Sequence, residues 1–216
     1  MKHRPKFSLL TLEFITLFIL IPLALFIFGT RWAIYLTLWG AGLYAFVMLR
    51  REPDFSWRRL WHGNDWTRNG KCWAFLRFLF VGILLTLVTY YTLPDKFMRF
   101  PLDRFPLWCA VMVLYPLLSI VPQELCFRSF YFMRYNGIVS ERWSGVAING
   151  LLFGFSHIIL NNWIAPSCCA VAGALFAHSY QQHRSLKWAV IEHSLYGCWV
   201  FTVGIGWYFF TGNWRH

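Results

Sequence analysis

The sequence predicts an all-α integral membrane protein, a polytopic bundle of about seven transmembrane helices forming a single domain over residues 1–216. Three observations predict it. Hydrophobic residues make up 58% of the chain and charged residues only 13%, where an average soluble domain carries about 25% charged. The apolar residues fall into long runs near the ~20 residues that cross a bilayer as helix. The basic residues gather in the short segments between those runs.

The expected spans, in order, are 8–29, 31–49, 73–93, 107–133, 143–163, 164–181 and 186–210. The first follows Lys2, Arg4 and Lys6, as a signal peptide would. It is too long for one and no small-residue cleavage site follows, so it reads as a span. The segment 50–72 carries Trp57, Trp61 and Trp66 among six basic residues, the composition of a helix or loop lying on an anionic membrane surface. A tight turn at Asn161–Asn162–Trp163 joins the fifth and sixth spans.

The segments 1–7, 50–72, 134–142 and 182–187 hold thirteen Lys and Arg residues, and the opposite loops hold five: Arg31, Lys96, Arg99, Arg104 and Arg215. Basic residues stay on the cytoplasmic side, so the N-terminus is expected there. The net charge of +11 thus reflects membrane topology, and no nucleic-acid partner is expected. Five of the six cysteines lie inside apolar runs, Cys72 sits at the edge of one, and no Cys-x-x-Cys occurs. A disulfide framework or a zinc site is therefore not expected.

Ionisable groups at membrane depth cost about 2.5–3.5 kcal/mol or more, and they mark functional sites by default. Here they are Glu13, Glu124, Glu192, Arg77, Arg128, His157, His178 and His193, while all four aspartates fall in loops. Intramembrane aspartyl chemistry, which needs two buried aspartates, is thereby excluded. No His-Glu-x-x-His occurs, and Gly154–Phe155–Ser156 continues into His157 where a rhomboid-type serine motif needs glycine.

Three motifs remain. Pro122–Gln123–Glu124–Leu125–Cys126–Phe127–Arg128 places Glu124 and Arg128 four apart on one helix face, where each neutralises the other. Phe153–Gly154–Phe155–Ser156–His157 adds a histidine beside the small-residue stripe Gly150/Gly154, which admits a neighbouring helix. Glu192–His193–Ser194–Leu195–Tyr196–Gly197 supplies a second histidine. Each motif taken alone also suits an ion pair or an interhelical hydrogen bond. Helical rise places Glu124 and His157 roughly 6 Å from the middle of their spans, in opposite senses, and His193 roughly 8 Å from the middle of its own.

Glu-x-x-x-Arg, then Phe-x-x-x-His, then a late histidine on successive helices resembles the CPBP family, the CAAX-protease and bacteriocin-processing (Abi) proteins. The resemblance covers about residues 107–200. It implies an intramembrane endopeptidase of the glutamic type, with Glu124, His157 and His193 catalytic and Arg128, Gln123 and Phe153 supporting. Glu124 would be the general base on a water, which His157 helps position, and His193 would donate to the developing oxyanion. No cofactor and no metal are implied. The expected partners are membrane lipid and a protein or peptide substrate, such as a C-terminal sorting tail, in the bacterial cytoplasmic (inner) membrane. Two departures stand out. Gln123 replaces the first of the family's paired glutamates, and Gly197 replaces the asparagine four residues after the last histidine. The same residues also suit a non-catalytic immunity or scaffold protein, or a small transporter using Glu13, Glu124 and Glu192.

Overall fold

In a computed structural model of the chain, residues 7–52, 55–64, 68–136, 139 and 143–210 are described, with backbone alone at Arg68 and Asn69. Among the residues invoked above, Lys2, Arg4, Lys6, Asp54, Asp65, Trp66, Arg142 and Arg215 lie outside them. The described residues form helices and connecting turns only. These are α1 (Phe7–Phe28), α2 (Arg31–Arg51), α3 (Trp57–His62), α4 (Arg68–Thr92), α5 (Arg99–Asp103), α6 (Phe105–Arg134), α7 (Trp143–Leu160), α8 (Ile164–His183) and α9 (Leu186–Val203).

Among the described residues five helices are long and apolar enough to cross a membrane: α1, α2, α4 from Gly70, α6 and α7. Their outer faces carry Phe28, Trp32, Leu36, Phe80, Ile83 and Leu151, all exposed. In the most apolar stretch of α1, α4 and α6 only 11% of residues are buried. A soluble monomer does not leave that much contiguous apolar surface open, so these faces belong against lipid. The expected sixth and seventh spans are α8 and α9, 20 and 18 residues long. They are helices as expected, but His178, Gln181 and Gln182 in one, and Lys187, Glu192 and His193 in the other, keep their hydropathy low. The last span ends at Val203, short of the expected residue 210. Gly204 turns the chain there at φ +116°, and a 3₁₀ turn, Ile205–Phe209, follows.

Local chemistry sets the joints. Asn161 takes a left-handed conformation after α7, and Asn162 Oδ1 accepts from the Ala165 N–H at 2.9 Å, starting α8. Ser185 caps α9 by accepting from the Trp188 N–H at 3.3 Å, and its hydroxyl donates to the Trp61 carbonyl at 2.9 Å. That bond fixes α3, with buried Leu60 inward and Trp57 outward, against the start of α9.

Close approach of α7 and α8 follows from the small-residue stripe. A Cβ at Gly150 would stand 2.6 Å from the Ala170 carbonyl oxygen, and one at Gly154 would stand 2.6 Å from that of Pro166. Those neighbours are backbone and cannot rotate away. Overpacking of this kind costs about 1–3 kcal/mol or more. Gly154→Val is therefore expected to lower the midpoint of thermal unfolding in detergent, and an unchanged midpoint would show that the two helices slide apart freely.

Helix α6 is irregular. It is π-helical over Pro116–Ile120 and again over Leu125–Phe130, with a short α segment, Val121–Glu124, between. Pro116 and Pro122 lack an N–H, so the carbonyls of Met112 and Leu118, four residues earlier, lose their helical donors. Trp39 of α2 donates its indole N–H to the Leu118 oxygen at 3.0 Å, and the Cys198 thiol of α9 lies 3.9 Å from the Met112 oxygen. Neighbouring helices thus satisfy the freed backbone, as an apolar medium requires. Such π turns frequently accompany functional sites, and these two flank Glu124.

Candidate active site

Glu124 sits at the end of the α segment between the two π turns, with no solvent-exposed surface. Arg128, equally enclosed, approaches it from the next turn, with Nε 3.1 Å from Glu124 Oε2. The approach has the distance of an ion pair without hydrogen-bond geometry, so Oε2 keeps its capacity to accept. The other carboxylate oxygen is taken: His193 Nδ1 of α9 lies 2.8 Å from Glu124 Oε1. A carboxylate and an imidazole from helices 69 residues apart in sequence are thereby in direct contact.

Arg128 is oriented by a second helix. Its Nη1 donates to Asn149 Oδ1 of α7, and Asn149 Nδ2 donates to the Phe127 carbonyl at 2.7 Å. That carbonyl lies within the second π turn of α6. The guanidinium also stands over the Phe153 ring, 4.9 Å from its centroid.

Phe153 joins the pieces. Its buried ring lies 4.8 Å from the His157 ring, 5.6 Å from that of His193 and 5.1 Å from that of Phe127. His157, one turn further along α7, is half-buried. Its Nδ1 lies 2.7 Å from the Phe153 carbonyl oxygen and 3.2 Å from the Ser156 hydroxyl. A proton on Nδ1, donated to the carbonyl, leaves Nε2 free as an acceptor. The two histidines therefore flank one phenylalanine, with Glu124 bonded to the inner of them. The back of His193 is closed by Phe176 of α8, stacked at 5.0 Å.

Gln123 lies elsewhere. Its Nε2 donates to Ser119 Oγ on its own helix at 2.7 Å, and it makes no described bond to Glu124 or to either histidine. The remaining intramembrane charges each have a partner of their own. Glu192, beside His193, pairs with Arg77 of α4, which also donates to Ser179 of α8 at 2.8 Å. Glu13 pairs with Arg134 at 3.1 Å and accepts from the Tyr135 hydroxyl at 2.8 Å. His178 stacks on Trp143.

Asn149 and Ser179 are the polar partners that sequence reasoning missed. Asn149 had a signal: an amide inside an apolar run, at i−4 and i−8 from Phe153 and His157, hence on one face of α7.

Comparison with known proteins adds one finding: residues 105–199 match the family described as Rce1-like, the type II CAAX prenyl endopeptidases. No curated protein and no solved structure matches the chain. The matched segment opens at the start of α6 and closes within α9, so it contains Glu124, Arg128, Asn149, Phe153, His157 and His193 and leaves α1 to α5 outside. Over residues 105–199 this integral membrane protein is thus similar to the Rce1-like family of type II CAAX prenyl endopeptidases.

Proposed function

We propose that the chain, as one membrane domain, hydrolyses a peptide bond of a membrane-associated substrate, with Glu124 as general base on water. The observation that carries the reading is the enclosed Glu124, held by His193 on one oxygen and by the charge of Arg128 on the other. Three ionisable groups sharing one enclosed pocket are costly to bury, and such clusters in a membrane serve chemistry or transport by default. Glu13 and Glu192 are tied to their own arginines, which favours chemistry at Glu124 over a relay through all three.

The reaction is direct. Water held at Glu124 Oε2 gives a proton to the carboxylate as its oxygen attacks the carbonyl carbon. His157 Nε2, on the more accessible side, accepts the water's second hydrogen and aims it. His193, carrying a proton on each ring nitrogen, donates Nδ1–H to Glu124 Oε1 and Nε2–H to the oxyanion, while the proton taken from water rests on Glu124 Oε2. As the C–N bond breaks, the amine leaves with the proton from Glu124, and no covalent intermediate forms. Arg128, locked by Asn149 and Phe153, keeps the carboxylate in one rotamer.

The name of the matching family supplies the probe: a farnesylated peptide ending in Cys-aliphatic-aliphatic-X, beside the same peptide without its lipid and an unprenylated hydrophobic sorting tail. The purified protein in lipid nanodiscs is expected to cleave at least one of them to two fragments, read by mass spectrometry. Intact peptides in all three would overturn the reading. The site is proposed to work without metal, because Arg128 sets a positive charge 3.1 Å from Glu124 Oε2, the oxygen that His193 leaves open. Exhaustive chelation is expected to leave the rate unchanged. Activity lost with stoichiometric zinc and restored on its return would assign the water to a metal instead. The N-terminus is proposed to be cytoplasmic and the membrane the bacterial cytoplasmic membrane, and a reporter fused within 50–72 is expected to report the cytoplasm.

A further inference from the structure

The space beside His193 is filled from another helix. Gly197 follows His193 by one turn of α9 and shares its face. A Cβ at Gly197 would stand 2.6 Å from Tyr115 Cε1 and 2.9 Å from its hydroxyl oxygen. The tip of the Tyr115 phenol therefore occupies the volume that any other residue at 197 would claim. Tyr115 is the last residue of the α-helical first stretch of α6, immediately before Pro116 opens the π turn. Its ring meets His193 edge-on, with centroids 6.4 Å apart, and packs edge-on against Phe201 at 5.0 Å. Tyr115 is half-buried, and among the described residues its hydroxyl makes no hydrogen bond.

This arrangement has the properties of a prepared donor. The ring is held on two sides, so the O–H stands in one place, and it is reachable and uncommitted. It stands one turn along the face that carries His193, whose Nδ1 is already engaged by Glu124. We propose that Tyr115 is a catalytic residue of the peptidase, its hydroxyl donating a hydrogen bond to the carbonyl oxygen that becomes the oxyanion. The phenol stays neutral throughout and gives up no proton. Gly197 is its steric complement: a side chain on α9 at that position and a phenol from α6 exclude each other, so the donor comes from one helix or the other. The inference rests on the hydrolysis reading above.

The test uses full-length protein in nanodiscs, with the peptide that wild type cleaves, and compares Tyr115→Phe, Tyr115→Ala, Tyr115→Ala/Gly197→Asn and Glu124→Gln. Loss of one oxyanion donor lowers kcat by about 10²–10³, and Tyr115→Phe is expected to show that loss with KM unchanged. Phenylalanine keeps the ring contacts with His193 and Phe201, so its thermal midpoint is expected to match wild type. In Tyr115→Ala/Gly197→Asn the vacated space receives an amide donor on α9, and at least about tenfold of the kcat lost in Tyr115→Ala is expected to return. Wild-type kcat in Tyr115→Phe, with Glu124→Gln inactive, would overturn the inference and leave the hydrolysis reading standing. Full activity in Glu124→Gln, or no cleavage by wild type, would overturn that reading and the inference with it.

Discussion

Glu124→Gln is expected to reduce kcat by about 10²–10⁴, the contribution of a positioned general base, while the protein remains folded in its membrane. Glutamine has the same shape and can still receive a hydrogen bond from His193 Nδ1, now 2.8 Å from Glu124 Oε1. It cannot take a proton from water. KM is expected to move little, because the carboxylate is enclosed behind His193 and touches the water and not the rest of the peptide. Cleavage rates of the purified variant, with its thermal midpoint, check both halves. A variant with a lowered thermal midpoint that retains its specific activity would make Glu124 a structural partner of Arg128 and nothing more.

Arg128→Leu is expected to produce the largest loss of stability. The guanidinium has no exposed surface, and neither has the carboxylate it faces. Removing it leaves Glu124 buried beside His193 alone, leaves Asn149 Oδ1 without its donor, and empties the space over Phe153. Breaking a buried pair from one side costs about 3–5 kcal/mol. The double variant Glu124→Gln/Arg128→Leu carries no unpaired charge and is expected to recover part of that loss without recovering activity. Thermal unfolding in detergent, run on both singles and the double, gives the coupling between the two positions. Additive losses would mean that the ion pair contributes nothing beyond its separate contacts.

Much of the fold was legible because the bilayer imposes length and composition on each helix. The apolar runs located every long helix, and Asn161–Asn162 marked the turn between α7 and α8. Less legible was the character of α8 and α9, where Ser179, Glu192 and His193 face other helices and the polar residues lower the hydropathy. The π turns of α6 could not be read from periodicity, although Pro116 and Pro122 announced that its backbone bonds were interrupted. At the site, the i, i+4 spacing of Glu124 and Arg128 carried over directly to a 3.1 Å approach. The contact between Glu124 and His193 did not follow from spacing, because depth along a straight helix says nothing of tilt. Depth alone set Glu124 and His157 on opposite sides of the midplane, whereas packing gathers the three motifs around the Phe153 ring. Gln123, which the resemblance gives a supporting role, bonds to Ser119 on its own helix. Tyr115 was invisible because an ordinary residue gains its meaning from what tertiary packing sets beside it.

The central claim is that Glu124 acts on water and not on the peptide. Single-turnover cleavage in ¹⁸O-enriched water, with protein in excess over peptide, tests it most directly. Direct attack by water predicts ¹⁸O in the new carboxyl group of the product on the first turnover, and an unlabelled Glu124 in the digested protein. A first-turnover product without label, with ¹⁸O found instead in the Glu124 side chain, would show that the carboxylate itself attacks and that an acyl intermediate is hydrolysed afterwards.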